Sequence, residues 1–266
     1  MPVPGLDPGI VAGIHDLPPV QTKDVDGRNK SGHDGMGGVT DDRSLVYDHA
    51  MSPPPSPRLY LITPAVEETA AFVPALEQAL AAGDVAAVLL RLAPTDERTL
   101  ITRIKALAPV VQRRDVALIL DGRPELAARS GADGAHVSGV EAFAAALALL
   151  KPDRIAGAAG LRSRHDAMLA AETGADYVMF GEPGKLFPDG RRAPFDETVE
   201  RLTWWADLFE VPCVGYAAAV DEIAALGHTK ADFIALGEWI WTEPQGATNS
   251  AAAVIGAAVE QLAAPA

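Results

Sequence analysis

Three arginines stand where buried strands are expected to end. Arg91 directly follows the apolar run VAAVLL, Arg123 lies two residues after VALILD, and Arg162 comes after RIAGAAGL. A guanidinium donates paired hydrogen bonds to phosphate oxygens, so these residues are candidate binders of a phosphorylated ligand. In the alternative interpretation, Arg91 and Arg123 pair with Asp121 or Glu141 as structural ions. The residues alone leave both interpretations open.

Two carboxylates accompany these arginines, and they could hold a metal ion. Asp121 ends the third apolar run and Glu141 follows the fourth. Carboxylate oxygens are ligands that Mg²⁺ prefers, so the pair is a candidate magnesium site. The 6 histidines show no HxH or HxxxH spacing, which argues against a structural zinc. Cys213 is the single cysteine; it excludes an internal disulfide and is expected in the core.

A histidine and a loop each allow two interpretations. His136 lies inside the apolar run GAHVS, and a hydrogen-bonded core histidine is favoured over a catalytic one. The loop GEPGKLFPDGRRAP (181–194) contains Lys185 and two arginines. It is expected to be either a lid over an anion or a solvated loop.

The elements that must position these residues follow from a repeated phrase. SGADGAHVSG (130–139), TGADYVMFGE (173–182) and TKADFIALGE (229–238) share one plan, and AGDVAAVLLR (82–91) is a looser copy. A helical pattern ends, an aspartate marks the turn, and a short apolar run follows as a buried strand. Eight strand–helix pairs of this kind fit between residues 58 and 263. The pattern predicts a compact (β/α)₈ barrel, with an open doubly wound sheet as the alternative.

Residues 1–57 differ from the rest of the chain. They contain PGLDPG, DVDGRNKSGHDGMGG and SPPPSP without a helical or strand period, so a disordered extension is expected. The stretch also resembles peptides translated from bacterial intergenic repeats, which makes Met51 or Met36 an alternative start. The first thirty residues lack the apolar segment of a signal peptide, and a cytoplasmic location is expected.

The bulk composition restricts the partners. The net charge is −14, which disfavours nucleic acid and anionic lipid without excluding a small anionic ligand. The longest wholly apolar run, AFAAALALL (142–150), is far shorter than a membrane span of about 18 residues or more. Small phosphorylated substrates are the expected partners, and assembly into a homo-oligomer stays open.

Several segments resemble the successive signatures of one enzyme family, the thiamine phosphate synthases and thiazole tautomerases. They are LYLIT (59–63), VLLR (88–91), LILDGRPELAARSGADGAHVSG (118–139), GADYVMFG (174–181) and VPCVGY (211–216). The resemblance implies a compact (β/α)₈ barrel. It also implies a transferase that joins an aminopyrimidine methyl pyrophosphate to a thiazole phosphate and releases pyrophosphate with Mg²⁺. The tautomerase relatives isomerise the thiazole.

The resemblance implies roles for six residues at the strand ends. They are Arg91 and Arg123 as catalytic groups on pyrophosphate, Asp121 and Glu141 as Mg²⁺ ligands, and the backbone at Gly215 and Gly237 at the thiazole phosphate. Arg162 and Lys185 are candidate phosphate binders from their places after strands 5 and 6, and neither matches a family motif. The chain departs from the family pattern at several of these places. Gly122 replaces a metal-binding aspartate, Tyr216 replaces the second glycine after strand 7, and Glu238 replaces the serine after strand 8. A catalytically degenerate, ligand-binding paralogue and another phosphate-ligand isomerase or lyase are therefore the alternatives.

Overall fold

The computed structural model describes residues 56–183, 191–241 and 251–263. Strands and helices alternate along this part of the chain. The strands are β1 (Arg58–Val66), β2 (Val85–Leu92), β3 (Ala117–Asp121), β4 (Gly134–Ser138), β5 (Ile155–Ala159), β6 (Tyr177–Phe180), β7 (Cys213–Ala217) and β8 (Phe233–Leu236). The helices are α1 (Thr69–Ala81), α2 (Glu97–Gln112), α3 (Pro124–Ser130), α4 (Val140–Leu150), α5 (Arg164–Thr173), α6 (Phe195–Leu208), α7 (Ile223–Gly227) and α8 (Ala251–Ala263).

The eight strands form one closed parallel barrel in sequence order. β1 closes the ring by pairing with β8, with Leu59 opposite Ile234. This closure confirms the predicted (β/α)₈ barrel and excludes the open doubly wound sheet. One apolar layer fills the barrel, and a larger one lies between the strands and the surrounding helices. Because all strands run in one direction, their carboxyl ends meet at a single mouth.

Local signals in the sequence explain where several helices begin and end. The Asp96 side chain accepts a hydrogen bond from the Thr99 N–H and so caps α2. Ser163 and Asp166 form a reciprocal capping box at the start of α5. Gly174 ends α5 with a φ of 117°, a conformation that costs other residues free energy. The caps of α2 and α5 lie in loops at the mouth of the barrel, whereas Gly174 lies in a loop at the opposite end.

The repeated Ala-Asp phrase has a structural cause at the opposite end of the barrel. Asp133 Oδ2 accepts from the Leu118 N–H at 2.7 Å, while the Asp133 N–H donates to the Leu118 carbonyl at 2.9 Å. Asp176 makes the same two bonds to Ala156, and Asp232 makes them to Cys213. Each aspartate therefore ties the start of its own strand to the start of the preceding strand.

Replacing Asp133 with alanine is expected to lower the free energy of unfolding by about 1–3 kcal/mol, because the buried Leu118 N–H loses its acceptor. Chemical denaturation measures the change. Asp84→Ala is the matched control, since the Asp84 carboxylate is 71% exposed and pairs with the Arg58 side chain. The control should change stability by less than about 0.5 kcal/mol. Equal losses in the two variants would contradict this role for the repeated aspartate.

One detail differs from the sequence pattern. The apolar pattern of residues 218–227 predicts one helix, but a short 3-10 helix, Val220–Glu222, precedes α7. The Glu222 carboxylate bonds to the Ala218 N–H and to Arg192 and so holds this tighter turn. Residues 1–55, which include Met36 and Met51, lie outside the described residues. So do residues 246–250, where the Ala-rich pattern predicts the start of the last helix. No described helix has the length and apolar character needed to cross a membrane.

Candidate active site at the carboxyl ends of the strands

Arg91, near the end of β2, is surrounded by carboxylates. Its Nε lies 3.1 Å from Asp121 Oδ2 at the end of β3, and its Nη2 lies 3.1 Å from Glu182 Oε1. Its Nη1 lies 3.7 Å from Glu238 Oε2, beyond the end of β8. One positive charge thus faces three acidic groups from three other strands. The contact with Asp121 is the one that the structural-ion interpretation of Arg91 expected, and 20% of the Arg91 side chain remains exposed.

Glu182 was not among the predicted site residues. It lies two residues after β6, and its side chain is only 2% exposed. The sequence contained a signal, because two copies of the repeated phrase, at 173–182 and 229–238, both end in Gly-Glu. In the barrel these two glutamates, Glu182 and Glu238, reach the same arginine from different strands.

A line of polar side chains continues from Glu182 into the barrel. His136 Nε2 lies 3.5 Å from Glu182 Oε2, and His136 Nδ1 shares a hydrogen bond of 2.9 Å with the Tyr177 hydroxyl. The Tyr177 hydroxyl lies 2.8 Å from that of Tyr60. Burial raises the pKa of both tyrosines, so both hydroxyls keep their protons near neutral pH. His136 is fully buried, as the core interpretation expected.

A cavity opens beside β4 and β5, at the mouth of the barrel. Its volume is about 480 Å³, and Ser138, Gly139, Glu141, Gly160 and Arg162 line it. Ligand pockets commonly enclose about 300–1,000 Å³. The Ser138 hydroxyl oxygen is buried without a hydrogen-bond partner, which leaves it able to bind a polar ligand. Two of the predicted residues, Glu141 and Arg162, therefore share one cavity.

The other predicted residues are more dispersed. Arg123 precedes α3, is 52% exposed, and has Nη1 3.9 Å from Glu125 Oε1. Gly215 lies inside β7, where an added Cβ would be 2.7 Å from Leu202, so its side-chain position faces the helices. At Gly237 an added Cβ would be 2.1 Å from the Tyr216 hydroxyl. Lys185 lies outside the described residues.

The carboxylates at the mouth of the barrel can be compared with the ligands that Mg²⁺ requires. Among the described residues, no cluster of three or more acidic, histidine or cysteine side chains could hold a metal. Mg²⁺ usually takes only one or two protein carboxylates and completes its shell with water and substrate phosphates. The Asp121 carboxylate is 18% exposed and Glu141 lines the cavity. Two carboxylates at the mouth are thus chemically compatible with Mg²⁺ that arrives with a phosphorylated substrate.

The fold and the site define a class of protein. The chain is a (β/α)₈ barrel with a polar cavity and a charged cluster at the carboxyl ends of its strands, where barrel enzymes carry their active sites. Solved structures agree on the fold. Thiamine phosphate pyrophosphorylase from Pyrococcus furiosus superposes with a TM-score of 0.61 at 23% identity, over 78% of this chain and 97% of that one. A 3-hexulose-6-phosphate synthase superposes with a TM-score of 0.55 at 16% identity, over 76% of this chain and 99% of that one.

The chain belongs to the thiamine monophosphate synthase family, whose sequence model matches residues 59–240. The thiamine-phosphate synthase of Rhodospirillum centenum is 45% identical over 71% of this chain and 91% of its own length. The thiamine-phosphate synthase of Hyphomonas neptunium is 36% identical over 73% of this chain and 90% of its own length. The resemblance carried by the sequence motifs is thereby confirmed.

Proposed function

We propose that the chain acts as a thiamine-phosphate synthase, joining an aminopyrimidine methyl pyrophosphate to a thiazole phosphate at the mouth of the barrel. The observation that carries the proposal is the 45% identity to the Rhodospirillum centenum synthase across nearly all of that protein. The geometry supports it through a cavity of about 480 Å³ that contains an arginine, a serine hydroxyl and a carboxylate.

The reaction breaks the bond between the pyrimidine methylene carbon and pyrophosphate, and the thiazole then bonds to that carbon. Charge develops on the departing pyrophosphate, so groups that stabilise an anion lower the barrier. Arg162 and the Ser138 hydroxyl line the cavity and can bind phosphate oxygens. Arg91 Nη1 offers a further cationic edge near the rim. Arg123 is half exposed and contributes its charge from the β3 side.

Asp121 and Glu141 would hold Mg²⁺, which supplies charge stabilisation for pyrophosphate when it is bound. The remaining residues implied by the resemblance bind the thiazole phosphate in this proposal. Gly237 provides backbone at the end of β8, and Gly215 lies two residues before the end of β7. Lys185 stays a prediction, as do the cytoplasmic location and assembly into a homo-oligomer.

A second candidate function is that of a ligand-binding paralogue without catalysis. The group of carboxylates around Arg91 favours it. Three carboxylates approach Arg91 within 3.7 Å, and negative charge there opposes an incoming pyrophosphate. In this alternative the barrel binds a small phosphorylated ligand weakly and does not turn it over.

Turnover separates the two candidates. Residues 51–266 are assayed for thiamine phosphate with the pyrimidine pyrophosphate, the thiazole phosphate and Mg²⁺, beside the Rhodospirillum centenum synthase. A rate within about a hundredfold of that control, about 2.7 kcal/mol in barrier, supports catalysis. A folded protein that forms no product contradicts the synthase activity and favours the ligand-binding paralogue over it.

Replacing Glu238 with serine is expected to strengthen the binding of inorganic pyrophosphate by about two- to tenfold. The Glu238 carboxylate is 61% exposed and lies 3.7 Å from Arg91 Nη1, so it competes with an anion for that edge, at a solvent-screened cost of about 1 kcal/mol. Isothermal titration calorimetry measures the dissociation constant. Glu260→Ser, a change of equal charge on the exposed face of α8, is the control. No gain over the control would mean that Glu238 does not compete for the site.

A further inference from the structure

Glu182 is a buried carboxylate without a role in the chemistry described so far. Its side chain is 2% exposed, with Oε1 3.1 Å from Arg91 Nη2 and Oε2 3.5 Å from His136 Nε2. Burying a carboxylate is costly unless its partners are fixed. A buried acid between the site arginine and a buried histidine therefore calls for an explanation.

On the side that faces the barrel, Glu182 lies beside a rigidly held imidazole. His136 is fully buried and stacks on Tyr177, with ring centroids 5.7 Å apart and planes 12° from parallel. The Tyr177 hydroxyl bonds to His136 Nδ1 and to Tyr60. Each ring is at most 1% exposed, so the imidazole cannot turn without displacing its neighbours. Its Nε2 edge consequently stays directed at the Glu182 carboxylate.

The other side of Glu182 fixes the guanidinium of Arg91. Asp121 accepts from Nε and Glu182 accepts from Nη2, so two carboxylates on different strands hold two nitrogens of one plane. The third nitrogen, Nη1, is left on the side of the exposed Glu238 carboxylate. Without Glu182, rotation about the last side-chain bonds would let this edge leave the mouth.

We propose that Glu182 is a positioning residue that fixes the guanidinium of Arg91 and presents its Nη1 edge to a phosphate oxygen of the ligand. The choice of ligand rests on the proposed function, whereas the orientation of Arg91 does not. The proposal makes a prediction of unusual sign. Removing a carboxylate normally favours an anion, but removal of Glu182 is expected to weaken anion binding because Arg91 loses its orientation.

The first measurement is nuclear magnetic resonance of the arginine side chains, labelled with ¹⁵N. Hydrogen bonds to Asp121 and Glu182 should slow rotation and give Arg91 separate Nη signals, which Arg91→Lys identifies by their loss. In Glu182→Ala the signals should merge. Glu182→Gln, which keeps an oxygen acceptor, should show intermediate exchange and guards against a variant that fails to fold. Merged signals in the wild type, or separate signals in both folded Glu182 variants, would overturn the proposal.

The second measurement is the affinity for inorganic pyrophosphate. Glu182→Ala should bind it about tenfold more weakly, whereas Glu238→Ser should bind it more tightly. Asp176→Ala is the matched control, because its carboxylate is 11% exposed and lies at the opposite end of the barrel. The control should lose stability without losing affinity. Equal or tighter binding by Glu182→Ala would overturn the positioning role. A wild type that binds no pyrophosphate would refute the pyrophosphate site. In that case the resonance measurement still decides whether Glu182 orients Arg91.

Discussion

Replacing Arg91 with alanine is expected to reduce the formation of thiamine phosphate at least about a hundredfold and to lower the free energy of unfolding by about 3 kcal/mol. The loss of activity follows from removing a preorganised donor at the site where charge develops. The loss of stability follows because the buried Glu182 and the partly buried Asp121 lose their counter-ion. Steady-state kinetics and chemical denaturation measure the two effects separately.

Three variants make this prediction specific. Arg91→Lys keeps the charge but cannot hold two carboxylates with one planar group, so it should recover more stability than activity. Arg91→Ala combined with Glu182→Gln should be less destabilised than the sum of the single variants, because the buried side chain that faced Arg91 is then neutral. Arg113→Ala removes an arginine that pairs with Glu77 on the exposed helix surface and should change neither quantity. Full activity in Arg91→Ala would remove this residue from the site.

The barrel could be predicted because its determinants are local. Each repeated phrase contains a helix end, an aspartate and an apolar run, and eight such units close into a ring. The aspartates were interpreted only as turn markers. Their bonds to the preceding strand, such as Asp133 to Leu118 at 2.7 Å, depend on which strands are neighbours. That information appears only when the order of the strands in the barrel is known.

The charged cluster at the mouth could be predicted only in part. The arginines and Asp121 follow apolar runs, which marks them as residues at strand ends. Glu182 also follows such a run, but its partner Arg91 is 91 positions away in the sequence, and β2 and β6 are not adjacent in the barrel. The contact is made across the mouth. Its existence depends on the closure of the barrel and on side-chain length, neither of which a local pattern encodes.

The tight packing inside the barrel leads to a second prediction, a large loss of stability when Gly157 on β5 is replaced. An added Cβ there would lie 2.1 Å from Tyr177 Cζ and 2.3 Å from its hydroxyl oxygen, distances that real contacts do not reach. Tyr177 is 1% exposed, so it cannot move aside into solvent. Gly157→Ala is therefore expected to lower the free energy of unfolding by about 3 kcal/mol through overpacking, or about 6–12 °C in Tm for a domain of this size.

The same substitution should also disturb the site, because Tyr177 holds the imidazole of His136 against Glu182. The control is Gly256→Ala on α8, where an added Cβ meets nothing within 4 Å; alanine is the better helix former, so stability should rise by about 0.5–1 kcal/mol. In a Tyr177→Leu background, Gly157→Ala should cost less, since the ring that it strikes is gone. An unchanged cost in that background would show that the destabilisation arises from the β5 backbone and not from Tyr177.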